Sequence, residues 1–140
     1  MDMKKNLGYI GLAILVFSMV FTTGIDSAKA YYSCGSDDVR CRSVRMFYGQ
    51  KTFVKTSQVY FYANESIYYS WDNDKPGIMQ VGFSIYNAAG KRVSPEKVAV
   101  REGDNYGIWP VPTSGYYYLL ALCEGGNDTR CEGGGKLMKW

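Results

Sequence analysis

The chain has 140 residues, 16 basic against 13 acidic, a formal net charge of +3 and no histidine. That balance is too weak and too mixed to mark a nucleic-acid-binding protein, and no block of like charge forms an electrostatic tail. The lack of histidine excludes Ser-His-Asp and Cys-His catalysis and every metal site built with an imidazole.

The chain opens on Lys4 and Lys5, followed by a nearly unbroken apolar stretch over residues 7–21. Its centre, Leu12-Ala13-Ile14-Leu15-Val16-Phe17, carries no charge, and Ala28-Lys29-Ala30 supplies the small–x–small pattern that signal peptidase reads. This predicts a helical signal peptide over residues 1–30 and a secreted, extracellular domain over residues 31–140. Contact with a membrane is then expected only through the leader before cleavage. The alternative is a retained anchor, which needs roughly 20 apolar residues. Asn6, Gly8, Ser18, Thr22 and Thr23 dilute the uncharged stretch over residues 6–25. Removing Lys4, Lys5, Lys29, Asp2 and Asp26 leaves 13 basic and 11 acidic residues in a 110-residue domain, long enough for one modest core.

Period-two alternation dominates residues 31–140. After a loop bounded by Cys34 and Cys41, with a turn expected at Asp37-Asp38, Val44-Arg45-Met46-Phe47-Tyr48 alternates adequately. Val59-Tyr60-Phe61-Tyr62 runs into a turn at Asn64, and Ile67-Tyr68-Tyr69-Ser70-Trp71 ends at Asp72-Asn73-Asp74-Lys75-Pro76-Gly77. There Pro76-Gly77 has the chemistry for the middle of a type II turn. Val81, Phe83 and Ile85 alternate with Gln80, Gly82 and Ser84, the cleanest half-buried strand of the chain. Asn87-Ala88-Ala89-Gly90 reads as a turn, Lys91-Arg92-Val93 as a short return, and Val98-Ala99-Val100 as another strand before a turn at Glu102-Gly103-Asp104-Asn105. Gly107-Ile108-Trp109 is short, and Pro110-Val111-Pro112 belongs at an edge or in a connection. The run from Tyr116 to Cys123 is apolar on both faces and predicts a central strand. Gly133-Gly134-Gly135 predicts a flexible connection, and Lys136-Leu137-Met138-Lys139-Trp140 a last strand.

Seven or eight short strands separated by regular turn signals predict an all-β chain, an antiparallel jelly-roll-like β-sandwich. An even number of cysteines in a small exported domain predicts two disulfides. Local pairing, Cys34 with Cys41 and Cys123 with Cys131, is favoured because each pair encloses a turn-rich loop, and a long-range clasp between the two pairs is the rival. A zinc site built from all four cysteines is disfavoured, since the intervening six and seven residues exceed the usual two to four.

Two segments resemble bacterial extracellular β-sandwiches of the pre-peptidase C-terminal type. One is Val81-Gly82-Phe83-Ser84-Ile85-Tyr86-Asn87-Ala88-Ala89-Gly90-Lys91-Arg92-Val93. The other is Pro112-Thr113-Ser114-Gly115-Tyr116-Tyr117-Tyr118-Leu119, similar to a Ser-Gly-x-Tyr-Tyr strand start. The whole precursor, with its two-lysine leader, looks like the small exported proteins of Gram-positive bacilli and their prophages. Either resemblance implies an extracellular accessory or binding domain and carries over no catalytic residue.

Without histidine or free thiols, the remaining catalytic chemistry is that of carboxylates. Glu65, Asp72, Asp74, Glu96, Glu102 and Asp104 are available for a hydrolase pair, but nearly all stand beside turn residues. Asp72-Asn73-Asp74-Lys75-Pro76-Gly77 fails as an EF-hand, with Pro76 fifth and Phe83 twelfth, which leaves only a loose calcium site at Asp72 and Asp74. No cofactor, metal or catalytic residue is therefore expected. The positive signal is aromatic: the domain holds 12 tyrosines and Trp71, Trp109 and Trp140. Tyr60, Tyr62, Tyr68, Tyr69 and Trp71 alternate so that they cannot all be buried at once, and with Trp109 they are the expected binding residues. The function expected is a non-enzymatic secreted binding protein at or near the cell envelope, with a cell-wall glycan or an exported protein as partner. A secreted antimicrobial or interbacterial effector is the alternative, and a small carboxylate hydrolase a third.

Overall fold

The computed structural model describes residues 32–140, and the signal peptide expected over residues 1–30 lies outside them. Tyr32–Trp140 forms one compact unit. Among the described residues there are nine strands: β1 (Arg42–Met46), β2 (Phe53–Lys55), β3 (Val59–Phe61), β4 (Ser66–Asn73), β5 (Val81–Asn87), β6 (Lys97–Ala99), β7 (Asp104–Pro110), β8 (Gly115–Cys123) and β9 (Gly133–Lys139). They form an antiparallel β-sandwich. Sheet A has the order β1-β9-β4-β7. Sheet B has the order β2-β8-β5-β6, with β3 pairing alongside β2 on β8. The strand from Tyr116 to Cys123 is central, as its apolar faces require: β8 bonds to β5 on one side and to β2 and β3 on the other.

The alternation of β4 and β5 sends one set of side chains between the sheets. Phe61, Ile67, Tyr69, Trp71, Val81, Phe83, Ile85, Leu119 and Leu137 meet there, all fully buried. Each such side chain contributes about 1.5–3 kcal/mol on leaving water. Both disulfides are local, Cys34–Cys41 and Cys123–Cys131, with Cα–Cα separations of 5.6 and 5.7 Å. Such bonds belong to an oxidising, non-cytoplasmic setting.

Four local expectations are corrected. Residues 133–135 are no flexible connection: they are the first half of β9, buried and paired on both sides. Large rings cover the missing side chains. A Cβ on Gly135 would stand 2.5 Å from Trp71 Cε3, and one on Gly134 2.3 Å from Tyr32 Cδ2. The turn at Pro76-Gly77 closes from Asp74 C=O to Gly77 N–H (2.9 Å), so proline takes the third place through a cis Lys75–Pro76 peptide, not the second place of a type II turn. Gly77 is required by close approach, its virtual Cβ lying 2.7 Å from Glu132 N. In the first disulfide loop, Asp38 N–H bonds to Gly35 C=O at 3.2 Å, which centres the turn on Ser36-Asp37 and not on Asp37-Asp38. Finally, the turn before β7 ends at Gly103, whose N–H reaches Val100 C=O, so Asp104 and Asn105 join the strand.

The outer edge of β7 is interrupted against further pairing. Val111 N–H bonds to Glu65 C=O and Asn73 N–H to Gly103 C=O, so the odd-numbered residues of β7 face β4 and the even-numbered ones face outward. Of these, Tyr106 has its N–H taken by Asn105 Oδ1 (2.8 Å), and Pro110 has none. Asn105 also donates to Val98 C=O (3.0 Å), tying the edge to the neighbouring sheet.

Candidate functional site

The aromatic residues singled out in the sequence separate into three groups. Tyr69 and Trp71, each 1 % exposed, point between the sheets and are withdrawn as contact residues. Tyr69 lies over Gly107, where a Cβ would come within 2.6 Å of its ring, and its hydroxyl donates to Pro95 C=O (2.8 Å). Trp71 lies over Gly135 and its indole N–H donates to Asn73 Oδ1 (2.9 Å). Trp109, opposite Ile67, packs edge-on against Tyr117 at the rim of the core.

Tyr60 and Tyr62 form the second group, at the end of sheet B. The Tyr60 ring meets Tyr62 and Tyr116 edge-on at 5.1 and 5.2 Å, and Tyr62 and Tyr116 are exposed. Arg40 organises this corner: its guanidinium lies over the Phe61 and Tyr62 rings, donates to Tyr60 C=O (3.0 Å) and bonds to Glu65 Oε1 at 2.6 Å. That bond and the Tyr62 N–H hold the Glu65 carboxyl down at about 2, well below its ordinary value. A carboxylate so held is ionised and a poor general acid.

Tyr68 belongs to the third group, on the outer face of sheet A. It is stacked between Tyr106 (centroids 5.8 Å, planes 23° apart) and Trp140 (5.5 Å, 21°). The three rings rise from neighbouring strands: Tyr106 from β7, Tyr68 from β4, and Trp140 from the end of β9, where its N–H bonds to Ser66 C=O at 2.9 Å. Tyr106 is 59 % and Trp140 65 % exposed, with exposed Ile108 opposite Tyr68 on β7 and Met138 opposite it on β9. Ser70 and Lys136, opposite one another, supply polar groups on the same face. Tyr68 is covered on both faces by its neighbours, so the exposed Tyr106 and Trp140 rings and the hydroxyl edges are what suit a ligand with both apolar and hydrogen-bonding surface. Sequence reasoning did not place Tyr106 and Trp140 in the site. Tyr106 alternates with Ile108 in a strand judged too short, and Trp140 joins the other two only through cross-strand register.

No group of metal-ligating residues exists among the described residues. Asp74 instead accepts the Tyr32 hydroxyl (2.7 Å) and faces Arg45 at 3.6 Å. Burial and the Asp74 carboxylate raise the Tyr32 hydroxyl to about 12. Asp72 sits opposite Asp104, and burial followed by Asp74 and Asp104 raises its carboxyl above the usual range.

No family model matches the chain, and no curated protein does. Among solved structures, a chain from "Structure of infectious bursal disease virus Gt strain" is similar at 15 % identity and a TM-score of 0.29. The match covers 74 % of the present chain and 30 % of the viral one, a likeness too low to support an argument about either fold or function.

Proposed function

We propose that this is a secreted, non-enzymatic β-sandwich that acts at or near the cell envelope and binds a cell-wall glycan through Tyr106, Tyr68 and Trp140. One observation carries this reading: three nearly parallel rings stack on the outer face of a sheet, the two outer ones more than half exposed. Such exposure leaves apolar area in water that the fold itself does not use, and contiguous patches of this kind mark interaction surfaces. Sugar rings present apolar C–H faces to aromatic faces and hydroxyls to groups such as Ser70, Lys136 being engaged by Ser33 C=O and Asp38. Neither the Tyr68 nor the Tyr106 hydroxyl is engaged among the described residues, so both remain open to a ligand. Export is supported by the two disulfides and by the leader pattern.

The test is sedimentation of the oxidised protein with purified sacculi. Wild type is expected to pellet without releasing sugars, and the Tyr106→Ala/Trp140→Ala double variant to lose binding about tenfold or more. A Tyr62→Ala/Tyr116→Ala variant is expected to pellet like wild type. Equal pelleting of both variants would remove sheet A from the site. Binding to intact cells but not to sacculi would shift the ligand to an exported protein, killing of neighbouring bacteria would favour the effector reading, and sugar release the hydrolase.

A further inference from the structure

A second surface, independent of the aromatic stack, lies at the opposite edge of the sandwich. Between β1 and β2 opens a cleft of about 710 Å³ lined by Val44, Arg45, Lys51, Phe53, Val54 and Lys55 among others. Both flanking strands are edges: β1 pairs only with β9, and β2 only with β8. Cys123 N–H bonds to Thr52 C=O and Thr56 N–H to Leu119 C=O. Alternation along an antiparallel ladder then turns Thr52, Val54 and Thr56 toward β8, and the main-chain N–H and C=O of Phe53 and Lys55 toward the open side. Among the described residues nothing bonds to these four groups. The edge of β7 is interrupted at Tyr106 and Pro110, whereas this one is continuous.

The lining has two characters. Val44 and Val54, opposite Gly135 and Ala121, form its apolar floor on the core side. Lys51 and Lys55 give it two positive charges, Arg45 being paired with Asp74 at 3.6 Å, and no carboxylate lines it.

We propose that this cleft takes a short extended peptide segment of alternating apolar and acidic side chains, added as a strand to the open edge of β2. Its main chain pairs with Phe53 and Lys55, its apolar side chains settle on Val44 and Val54, and its carboxylates meet Lys51 and Lys55. The same cations keep two copies of this edge from pairing with each other.

The probe is a capped hexapeptide of alternating valine and glutamate, titrated into the isotope-labelled oxidised protein and followed by backbone amide shifts. Expected are saturable shifts centred on Phe53 and Lys55, with affinity about tenfold lower for the Lys51→Glu/Lys55→Glu variant and for a valine–lysine peptide. Both substituted lysines are on the surface, so an otherwise native spectrum verifies the fold of that variant. Proline is tolerated on an edge strand whose N–H faces outward. Phe53→Pro is therefore expected to bind more weakly than Phe53→Ala, since both lack the ring and only proline lacks the donor. No saturable shift, equal affinity for acidic and basic peptides, or shifts centred on Tyr106 and Trp140 would overturn the proposal.

Discussion

The two faces of β4 carry the same kind of residue to opposite ends. On the inner face, Tyr69 and Trp71 are covered completely, while on the outer face Tyr68 stands in a stack whose outer members are open to solvent. What differs is the residue across the strand. Tyr69 has Gly107 opposite it and Trp71 has Gly135, so each ring folds down over a vacant Cβ position. Tyr68 has Ile108 and Met138 opposite it, and no such space beside it. The lesson is that alternation sends a ring to one face or the other, and a cross-strand glycine then gives Tyr69 and Trp71 the room to lie flat in the core.

Substitutions on either face test that contrast. Trp71→Ala should cost about 3–5 kcal/mol, the range for emptying a buried large aromatic site, read by denaturant unfolding of the oxidised protein. Gly107→Ala should cost about 1–3 kcal/mol by driving a methyl into the Tyr69 ring, and Tyr69→Ala on that background should recover part of the loss. Recovery is the diagnostic result; simple additivity of the two changes would dismiss the pairing of ring with glycine. On the outer face, Tyr68→Ala should cost about 1 kcal/mol or less yet weaken sacculus binding, the reverse of the pattern at Trp71.

The smallest effect concerns the corner leading into β4. Because Glu65 is held at about 2 against an ordinary 4.5, its contribution to stability is present above the ordinary value and is lost as pH falls toward 2. Glu65→Gln should flatten the unfolding midpoint over that acidic window. Between pH 6 and 8 the dependence on pH of wild type and variant should coincide.

Much of the fold was legible because alternation is a strong signal wherever side chains exist to carry it. Val81-Phe83-Ile85 and the run from Tyr116 to Cys123 announced β5 and β8, and short turn-rich loops announced both local disulfides. Gly133-Gly134-Gly135 was misread for the complementary reason: glycine has no side chain to alternate, and its place in a strand is set by Tyr32 and Trp71, about 100 and 60 residues distant along the chain. β2 spans three residues, too few to show a period. The exposed aromatic face was half legible. That some rings between Tyr60 and Trp71 must meet solvent followed from alternation, but assembling Tyr68 with Tyr106 and Trp140 needed the order β9-β4-β7, which no local pattern encodes.

The interrupted edge of β7 has a consequence for the protein in bulk. Its seven residues include exposed Tyr106 and Ile108, the composition that nucleates intermolecular ribbons when an edge is left bare. With one amide capped by Asn105 and another missing at Pro110, a second strand finds no continuous ladder to copy. The sticky face is thus uncoupled from fibril growth. Concentrated solutions should remain clear by light scattering, and Asn105→Ala should be the change that turns them turbid.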